Sequence, residues 1–370
     1  MSKRREISVV VTGVGGGSIG EQIIFALRAA KTPYRIIATD ADSFSLGLYS
    51  ANEGYLVPIA TDKTYLSRML EICKKESAKV LIPGSEAELV KISKNKDLFE
   101  EQEILLLMNS SKVIDLCSNK WKTYLFLKNN GFNVPESYLC EEDINNINFE
   151  YPVIIKPCVG TGGSRFVFVA QNDDELSFFV RYLKRQGYTP IVQKYVGTAE
   201  DEYTAGVLTS LEGKLLGSIV IRRRLVSGLS TLYKIKNYKV DSEPLLISSG
   251  ISQGVTDGFP EVRKYAEQIA LKLGSKGPIN IQCRMTKNGI SVFEINPRFS
   301  GTESLRALAG YNAPDTLIRK HLLNEGTKQM HCERGIVLRG LVNYFKRFPT
   351  SDSVLEDTEE RKCQQIIKNF

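Results

Sequence analysis

The strongest constraint on the fold is an alternation of short apolar runs with helical segments over the first third of the chain. Residues 7–12 and 34–40 are β-branched runs typical of strands, and residues 19–30 between them have the apolar spacing of a helix. A helix, a strand and the start of another helix follow at residues 64–77, 80–83 and 86–93. Such alternation predicts a parallel sheet covered on both faces, and we assign this α/β domain to residues 1–116.

The pattern changes near residue 117, where one helix is followed by a region rich in strands. Residues 118–131 have helical spacing, with Ser118 as the expected N-cap and Gly131 as the C-terminal stop. The other expected strands are 153–156, 165–170, 191–196, 203–209, 215–222, 279–285 and 290–295, and the other expected helices are 260–273, 304–309 and 314–323. We divide this α+β region into residues 117–192 and 193–328, followed by a strand and tail at 329–370.

A glycine-rich turn follows the first strand. Gly15, Gly17 and Gly20 satisfy the GxGxxG spacing, and Asp40 ends the next strand about twenty residues later, as in dinucleotide-binding domains where the acidic residue holds a ribose hydroxyl. A tight strand-to-helix turn in any parallel sheet also favours glycine. The turn alone therefore leaves two interpretations open, a nicotinamide- or flavin-binding domain and a domain without a dinucleotide.

The composition argues against several other classes of protein. The seven cysteines are scattered and there are only two histidines, so we expect neither a zinc site nor a disulfide framework, and we expect a cytoplasmic location. The apolar run near the N-terminus is too short for a signal peptide, and no apolar stretch approaches the ~18 residues of a membrane span. The net charge of +7 suits small anions as well as nucleic acid, but no nucleic-acid-binding motif accompanies it.

A lysine that closes an apolar strand indicates a phosphate site. Lys156 ends such a run, although strand interiors exclude unpaired charge. Gly160, Gly162 and Gly163 follow closely, and a glycine-rich hairpin supplies backbone N–H groups that wrap around phosphate oxygens. The arrangement differs from a Walker loop because the lysine precedes the glycines. A flexible hairpin beside a lysine whose charge reaches solvent is the alternative explanation.

Two weaker features flank this hairpin. Lys120 lies near the start of a helix, where a cation either reaches a nucleotide phosphate or is simply solvated. The apolar strand that contains Gln193 leads to Glu202. A strand end of this kind can place backbone groups on adenine and a carboxylate on ribose, but it does not specify a nucleotide site by itself.

The most specific feature is a Glu-Ile-Asn-Pro-Arg string that begins at Glu294. Glu294 and Asn296 are two residues apart on one strand, so both point to the same face. Gln282 is on the preceding strand, and a hairpin turn brings it towards them. Oxygen ligands of this kind suit Mg²⁺, which takes its remaining ligands from water and ATP phosphates. Arg298 adds a guanidinium fork suited to a phosphate or an acyl phosphate.

In order and spacing these features resemble the ATP-grasp superfamily, in particular the branch that includes the carbamoyl phosphate synthase large subunit and similar stand-alone ligases. The resemblance covers roughly residues 7–325 and includes the Lys120 helix, the glycine loop and residues 11–13, 82–86, 155–157, 193–196 and 294–298. It implies an ATP-grasp fold with an N-terminal parallel α/β pre-ATP-grasp domain, a glycine-loop lid and a C-terminal metal-binding lobe. The glycine turn then belongs to the pre-ATP-grasp domain, which need not bind a dinucleotide.

The resemblance also implies a role for each site residue. The residues expected to contact ATP are Lys120, Lys156, Gly162, Gly163, Ser164, Gln193, Lys194, Val196 and Glu202. The residues expected to bind two Mg²⁺ ions, which Mn²⁺ can replace, are Gln282, Glu294 and Asn296. Backbone groups of Gln193 and Val196 would hold adenine, and Glu202 would hold ribose. Lys156 and Arg298 would be catalytic, because phosphoryl transfer depends mainly on positioning and charge neutralisation.

The activity implied is that of an ATP-dependent carboxylate–amine ligase, which acts through an acyl phosphate and releases ADP and phosphate. Carbamoyl phosphate synthesis is in doubt, because Phe299-Ser300-Gly301 stands where that synthetase carries a second arginine and because we find one ATP-grasp unit. The alternatives are an NAD(P)-dependent oxidoreductase that uses the N-terminal turn and a nucleotide-binding protein without turnover.

The expected partners are a small carboxylate and a small amine, with neither nucleic acid nor a membrane and with a homodimer possible. Arg222 and Arg224 are outside the shared motifs and alternate with Arg223 along one strand, so they share a face. We interpret them as possible ligands of the substrate carboxylate. A solvated basic edge that blocks strand pairing is the alternative.

Overall fold

The computed structural model describes residues 6–140, 150–160, 162–225, 229–256, 258–326, 330, 332–340 and 361–362. Its N-terminal lobe is a parallel sheet with the strand order β3-β2-β1-β4-β5, as the alternation predicts. The elements of this lobe are β1 (Ile7–Thr12), α1 (Ile19–Arg28), β2 (Tyr34–Asp40), α2 (Leu46–Ser50), β3 (Glu53–Leu56), α3 (Tyr65–Lys75), β4 (Val80–Ile82), α4 (Glu86–Ser93), α5 (Asp97–Glu100), β5 (Leu105–Leu106) and α6 (Ser111–Cys117).

Both faces of this sheet are buried, which explains why its strands are continuously apolar. Val9 and Val11 of β1 pack into a core cluster that includes Ile23 of α1. Val10 points to the opposite face and joins a second cluster that includes Tyr65 of α3. The helices therefore cover the sheet from two sides.

The strand order reverses between β1 and β4. In open α/β sheets, the crevice at the carboxyl ends of such a strand pair is where ligands bind. Gly20 and Gly84 allow the two turns to approach closely, since a Cβ on Gly20 would lie 2.3 Å from the Thr12 carbonyl oxygen and one on Gly84 would lie 1.9 Å from it. Backbone packing alone therefore requires glycine at both positions.

The middle part of the chain forms an antiparallel sheet of four strands in the order β6-β9-β7-β8. Its elements are α7 (Lys120–Asn129), β6 (Ser137–Leu139), β7 (Val153–Pro157), β8 (Phe168–Ala170), α8 (Asp173–Arg185) and β9 (Pro190–Lys194). The N-cap of α7 is Asn119 and not Ser118, because the Asn119 side chain accepts from the Lys122 N–H at 3.0 Å. The division expected after residue 192 falls inside β9, so this sheet continues to Lys194.

The last part of the chain forms a larger antiparallel sheet in the order β16-β15-β10-β11-β14-β17 and a hairpin of β12 with β13. Its elements are β10 (Glu202–Thr209), β11 (Leu215–Arg223), β12 (Thr231–Ile235), β13 (Leu245–Ser248), β14 (Gly254–Thr256), α9 (Pro260–Leu273), β15 (Pro278–Thr286), β16 (Gly289–Asn296), α10 (Glu303–Leu308), α11 (Ala313–His321), β17 (Gly335–Val337) and β18 (Arg361–Lys362). β18 pairs with β3 and so extends the N-terminal sheet.

The six-stranded sheet has one apolar face and one face that carries polar side chains. Ile281 and Val292 pack on the apolar face with Ile269 of α9. On the other face Gln282 lies between Thr204 and Glu294 in register across three strands. We call this second surface the polar face, and it forms one wall of the site described below.

Other expectations fall partly outside the described residues. The strand expected within residues 329–370 is β17, and residues 341–360 of this segment are not described. Every cysteine for which a state is described is free and buried. Among the described residues, no helix combines the length and the apolar character needed to cross a membrane.

Candidate nucleotide-binding cleft

A cleft of about 720 Å³ lies between the four-stranded sheet and the polar face. Apolar side chains of Ile154, Val167 and Leu246 form part of its lining. The lining also includes nine of the residues that the sequence singles out: Lys120, Lys156, Ser164, Gln193, Lys194, Val196, Glu202, Gln282 and Glu294. The fold thus gathers residues from distant segments around one concave space, which is the usual form of a small-molecule site.

Lys156 is the buried cation of this cleft. Its Nζ donates to Gln193 Oε1 at 2.8 Å and to the Phe293 carbonyl oxygen at 3.3 Å. Desolvation lowers the pKa of Lys156 to about 8, and Glu294 opposes this effect while Lys120 adds to it. Because an ammonium has three donors, these two hydrogen bonds leave one N–H for a ligand.

Gln193 contributes through its side chain. It lies opposite Ile154 on one side and Ser137 on the other, so its backbone is inside the sheet ladder. Its side-chain amide accepts from Lys156 and donates to Ser137 Oγ at 3.0 Å. The side chain of Gln193 thus positions Lys156, and a contact between the Gln193 backbone and adenine stays a prediction.

Lys194 and Val196 lie at the rim, where β9 ends. The Lys194 ammonium pairs with the Glu150 carboxylate, and its backbone N–H donates to the Glu136 carbonyl at 2.8 Å. The carbonyl of Val196, beyond the strand, accepts from Arg284 Nη1 at 3.2 Å. A backbone contact between Val196 and adenine stays a prediction.

The glycine loop between β7 and β8 reaches two other parts of the molecule. Gly163 has a φ of +67°, a left-handed conformation that favours glycine. Ser164 Oγ donates to the Ser248 carbonyl at 2.9 Å and so ties the loop to the end of β13. A Cβ on Gly162 would lie 3.4 Å from Glu86 Oε1, so the loop also approaches the N-terminal lobe.

The expected metal ligands meet at the edge of the cleft. Gln282 and Glu294 lie directly opposite each other on β15 and β16, and Asn296 lies two residues further along the same face. Across the described part of the chain, no cluster of three His, Cys, Asp or Glu side chains is able to hold a metal. One carboxylate with two amide oxygens nevertheless fits Mg²⁺, which keeps water and takes further ligands from phosphates.

Arg298 borders a second, narrow cavity, which shares Lys120 and Glu294 with the cleft. Its Nη2 donates to Asn296 Oδ1 at 3.2 Å and to Glu86 Oε1 at 3.1 Å. Its Nε is buried and has no partner. The guanidinium is therefore held beside the expected metal ligands by a carboxylate from the N-terminal lobe.

Glu202 belongs to a buried group of ion pairs. Its carboxylate is 1% exposed, and it accepts from Arg223 Nη1 at 2.7 Å and from Arg284 Nε at 3.0 Å. Burial opposes ionisation, but the charges of Arg284 and Arg223 hold the pKa of Glu202 below its ordinary value. Glu202 is thus not the free ribose acceptor that the sequence suggests, although ribose binding through a remaining lone pair stays a prediction.

Arg222 and Arg224 do not join the cleft. The expected alternation along β11 is present, but it sends the buried side chain of Arg223 towards Glu202 and leaves Arg222 and Arg224 exposed. These two line a separate groove together with Lys234. Their position does not support the interpretation that they hold the substrate carboxylate beside the nucleotide.

Three buried charged residues at the polar face were missed in the sequence, Arg284 on β15 and the pair Glu303 and Arg306 on α10, which packs against that face. Arg284 binds Glu202, and Arg306 donates through Nη2 to Asn280 Oδ1 at 2.6 Å. Glu303 Oε2 lies 3.9 Å from Arg306 Nη1, and burial raises the pKa of Glu303 and lowers that of Arg306. For Glu303 and Arg306, the signal in the sequence was the spacing of opposite charges three residues apart in a short helix.

Two family models match the chain. A PylC-like N-terminal domain matches residues 13–107, and an ATP-grasp domain matches residues 117–302, which is half of the chain. The chain belongs to the ATP-grasp family. The expected ATP-grasp fold and the expectation of an ATP-grasp enzyme are thereby confirmed.

Several curated relatives of this ATP-grasp chain share one name. The carbamoyl phosphate synthase large chain of Clostridium beijerinckii is 23% identical over 310 residues, which are 80% of this chain and 27% of the relative. The protein of the same name from Methanosarcina barkeri is 22% identical over 310 residues, 80% of this chain and 28% of the relative. The chain therefore spans about a quarter of the length of these relatives.

Solved ATP-grasp structures share the fold. An L-amino acid ligase from Bacillus licheniformis matches with a TM-score of 0.63 at 16% identity, covering 86% of this chain and 75% of that one. An N5-carboxyaminoimidazole ribonucleotide synthetase from Thermotoga maritima matches with a TM-score of 0.58 at 19% identity, covering 88% and 78%. At these identities the likeness establishes the architecture only.

The N-terminal glycine turn lies within the residues that the PylC-like N-terminal domain model matches. The Gly17 N–H donates to the Glu21 carboxylate at 2.6 Å, and Asp40 Oδ1 accepts from the Asp42 N–H at 3.0 Å. Packing accounts for Gly20, so the GxGxxG spacing needs no dinucleotide to explain it.

Proposed function

We propose that this chain is an ATP-dependent ligase that joins a carboxylate to an amine through an acyl phosphate and releases ADP and phosphate. The observation that carries the proposal is the single cleft in which Lys120, Lys156 and Glu294 meet from three separate segments. An ATP-grasp family member with cations and oxygen ligands in one cleft has the groups that phosphoryl transfer requires.

The two lysines and the glycine loop would bind the phosphates. Lys156 has one N–H left for a phosphate oxygen, and its low-dielectric surroundings strengthen that interaction. Lys120 begins α7 and lines the same cleft. Ser164 and the neighbouring glycine N–H groups would cover the phosphates, and the hydrogen bond from Ser164 to Ser248 supports this because it holds the loop beside the cleft.

Gln282, Glu294 and Asn296 would hold the metal. Bound Mg²⁺ supplies charge neutralisation for the phosphate oxygens. Arg298 is positioned to stabilise charge on the transferred phosphoryl group, since its fork already contacts Asn296 and its Nε lacks a partner.

The chemistry needs activation because an ionised carboxylate does not react with an amine at neutral pH. A carboxylate oxygen attacks the γ-phosphorus of ATP, the bond to the bridging oxygen breaks, and ADP leaves. The amine then attacks the acyl carbon, the C–O bond to phosphate breaks, and an amide, phosphate and a proton are formed. Two easier steps thus replace one difficult step.

The test is ADP release across a panel of paired substrates. The twenty standard L-amino acids would be supplied as carboxylates, each with glycinamide or a second amino acid as the amine, in the presence of Mg-ATP. We expect ADP and phosphate in equal amounts for at least one pair. Formation of AMP and pyrophosphate would indicate adenylation and would contradict the proposal.

Carbamoyl phosphate chemistry is the second candidate, because the curated relatives carry the name of that synthase. The same assay with bicarbonate and ammonia as the only substrates distinguishes the two. ADP release that requires bicarbonate would favour this second candidate, whereas ADP release that requires a larger carboxylate favours the ligase.

A further inference from the structure

Arg284 places a buried guanidinium group at one end of the cleft. It lines the cleft, and its side chain is 7% exposed. On β15 it lies two residues beyond Gln282, so the two side chains share a face and are about 7 Å apart along the strand. Gln282 and its neighbour Glu294 are at the end expected to hold the metal and the phosphates. Arg284 therefore lies at the end that is left for the ribose and the base of a nucleotide.

The guanidinium fork of Arg284 joins three segments of the chain that form this end of the cleft. Its Nη1 donates to the carbonyl oxygen of Val196, just beyond β9, at 3.2 Å. Its Nη2 donates to the Leu246 carbonyl on β13 at 3.0 Å, and its Nε donates to Glu202 Oε2 on β10 at 3.0 Å. Because a planar fork donates in fixed directions, these three hydrogen bonds set the positions of the segments relative to β15.

Further contacts fix the turn that follows β9. The guanidinium carbon of Arg284 lies 4.6 Å from the centre of the Tyr195 ring, a cation–π contact. The Tyr195 hydroxyl accepts from the Leu246 N–H at 3.0 Å. Gly197 has a φ of +63°, and a Cβ at this position would lie 2.9 Å from the Met285 carbonyl oxygen and 3.1 Å from Arg284 Cβ. The turn is thus held closely against β15 beside Arg284.

Packing alone does not explain a cation at this position. An apolar side chain of similar volume would fill the space, and such replacements of buried ion pairs are often neutral or stabilising. Burial opposes the charge, but the Glu202 carboxylate raises the pKa of Arg284 above its ordinary value. What an apolar side chain would lack is the pair of donors for the Val196 and Leu246 carbonyls. The fork therefore contributes a defined geometry rather than volume.

We propose that Arg284 is a positioning residue for the base of the nucleotide, which holds the turn at Val196 and Gly197 in an arrangement that prefers adenine to guanine. The proposal rests on the ATP-dependent function proposed above and names the part of the chain that selects the base. Adenine presents an amino donor where guanine presents a carbonyl acceptor. Backbone groups held in one orientation distinguish the two bases, whereas a loose turn does not. The competing explanation is that Arg284 only stabilises the fold.

The test is the Kd of Mg-ATP and of Mg-GTP, measured by calorimetry for the parent and for Arg284→Lys. Lysine keeps the positive charge but lacks the planar fork. The parent should prefer ATP by at least about tenfold. In the variant the Kd for ATP should rise roughly tenfold and that for GTP less than about threefold, so that most of the preference is lost. Lys156→Met, at the phosphate end, should weaken both nucleotides and leave the preference unchanged. Arg224→Lys, at an exposed position outside the cleft, should alter neither Kd.

Equal weakening of both nucleotides by Arg284→Lys would overturn the proposal, because a general loss of structure does not depend on the base. An unchanged preference, or a parent without one, would also overturn it. If Arg284→Lys does not fold, as judged by circular dichroism, Gly197→Ala decides, because it disturbs the same turn and leaves the ion pairs in place. It should lower the preference for ATP, and a preference equal to that of the parent contradicts the proposal. A parent that binds neither nucleotide would refute the ATP-dependent function itself.

Discussion

Lys156 is the residue whose surroundings most strongly predict a pH dependence. Burial lowers its pKa to about 8, so the side chain of the free protein is cationic below that pH and neutral above it. A bound phosphate favours the cation and raises the pKa in the complex. The Kd for Mg-ATP should therefore begin to rise above pH 7, be about twofold higher at pH 8 and be roughly tenfold or more higher by pH 9.5.

Lys156→Met is the control for this titration. The variant should bind Mg-ATP weakly and with no change between pH 7.5 and pH 9.5, as measured by calorimetry. Its stability should stay near that of the parent, because relief of the desolvation of Lys156, about 3 kcal/mol, is offset by an unsatisfied Gln193 oxygen, about 1–3 kcal/mol. An equally steep pH dependence in the variant would assign the titration to another group.

Glu294 offers a test of the metal site. It lies opposite Gln282 on the polar face. Among the described residues, no group of three or more His, Cys, Asp or Glu side chains could hold a metal there. Glu294→Gln keeps the shape and removes the charge, so we expect ADP formation to fall roughly 10²-fold or more while folding changes little. Turnover at saturating Mg-ATP beside a circular-dichroism melt measures both. A rate within a few-fold of the parent would mean that Glu294 is structural.

Glu202 should behave in the opposite way, although it lies on the same face. Its carboxylate neutralises Arg223 and Arg284, both of which are buried. Glu202→Gln leaves two buried guanidinium groups with one fewer countercharge, and removing one partner of a buried ion pair costs about 3–5 kcal/mol. Urea unfolding should show a loss of that size. A variant that unfolds like the parent but binds ATP poorly would instead support a direct contact with ribose.

At the scale of elements, the glycine loop is expected to act as a lid. Gly163 has a left-handed backbone conformation, and the side chain of Ser164 anchors the loop by a hydrogen bond to the Ser248 carbonyl. Glycine-rich segments have the largest ordering entropy, so the loop should be ordered further by nucleotide. Hydrogen exchange at residues 162–166 should slow several-fold with an ATP analogue and Mg²⁺. Ser164→Ala should exchange faster without nucleotide, and equal rates with and without nucleotide would argue against a lid.

Elements with a clear hydrophobic period could be predicted from the sequence. β1, β2, α4 and α9 have the predicted ends, because a β-branched run or an amphipathic repeat fixes them locally. α8 was missed although Asn172 caps it and three acidic residues fill its first turn. The start of β8 was also placed too early, because Ser164 and Phe166 adopt left-handed backbone conformations that sequence does not reveal.

The sequence predicted the site residues that belong to motifs. It could not predict contacts between residues that are far apart along the chain. Lys156, Gln282 and Glu294 do meet in one cleft, because strand alternation and a hairpin determine their directions. The partners of Glu202 could not be foreseen, since Arg284 lies 82 residues away and approaches only through the pairing of β10 with β15. Glu86 belongs to the motif at residues 82–86, but its contact with Arg298 could not be predicted because the two residues are 212 positions apart.

At the scale of the whole molecule, two lobes each offer a ligand site. The N-terminal sheet has a crevice at its strand reversal, and the cleft lies between the other two sheets. An ion pair between Arg298 and Glu86 connects the N-terminal lobe with the end of the polar face. A ligand that occupies the cleft should therefore stabilise more than one part of the fold.

Nucleotide choice is the prediction that belongs to this scale. Mg-ATP should raise the melting temperature, because a ligand that binds only the folded state stabilises it by mass action, by about 2.7 kcal/mol at a hundredfold excess over Kd. NADH should have little effect, because Gly20 and Gly84 are explained by packing and the lysines that we propose bind phosphate, Lys120 and Lys156, line the cleft outside the N-terminal lobe. Gly15→Ala, in the glycine turn, should leave the Mg-ATP shift unchanged, whereas Lys156→Met should remove it. Stabilisation by NADH without stabilisation by Mg-ATP would transfer the nucleotide site to the N-terminal turn and refute the assignment of the cleft.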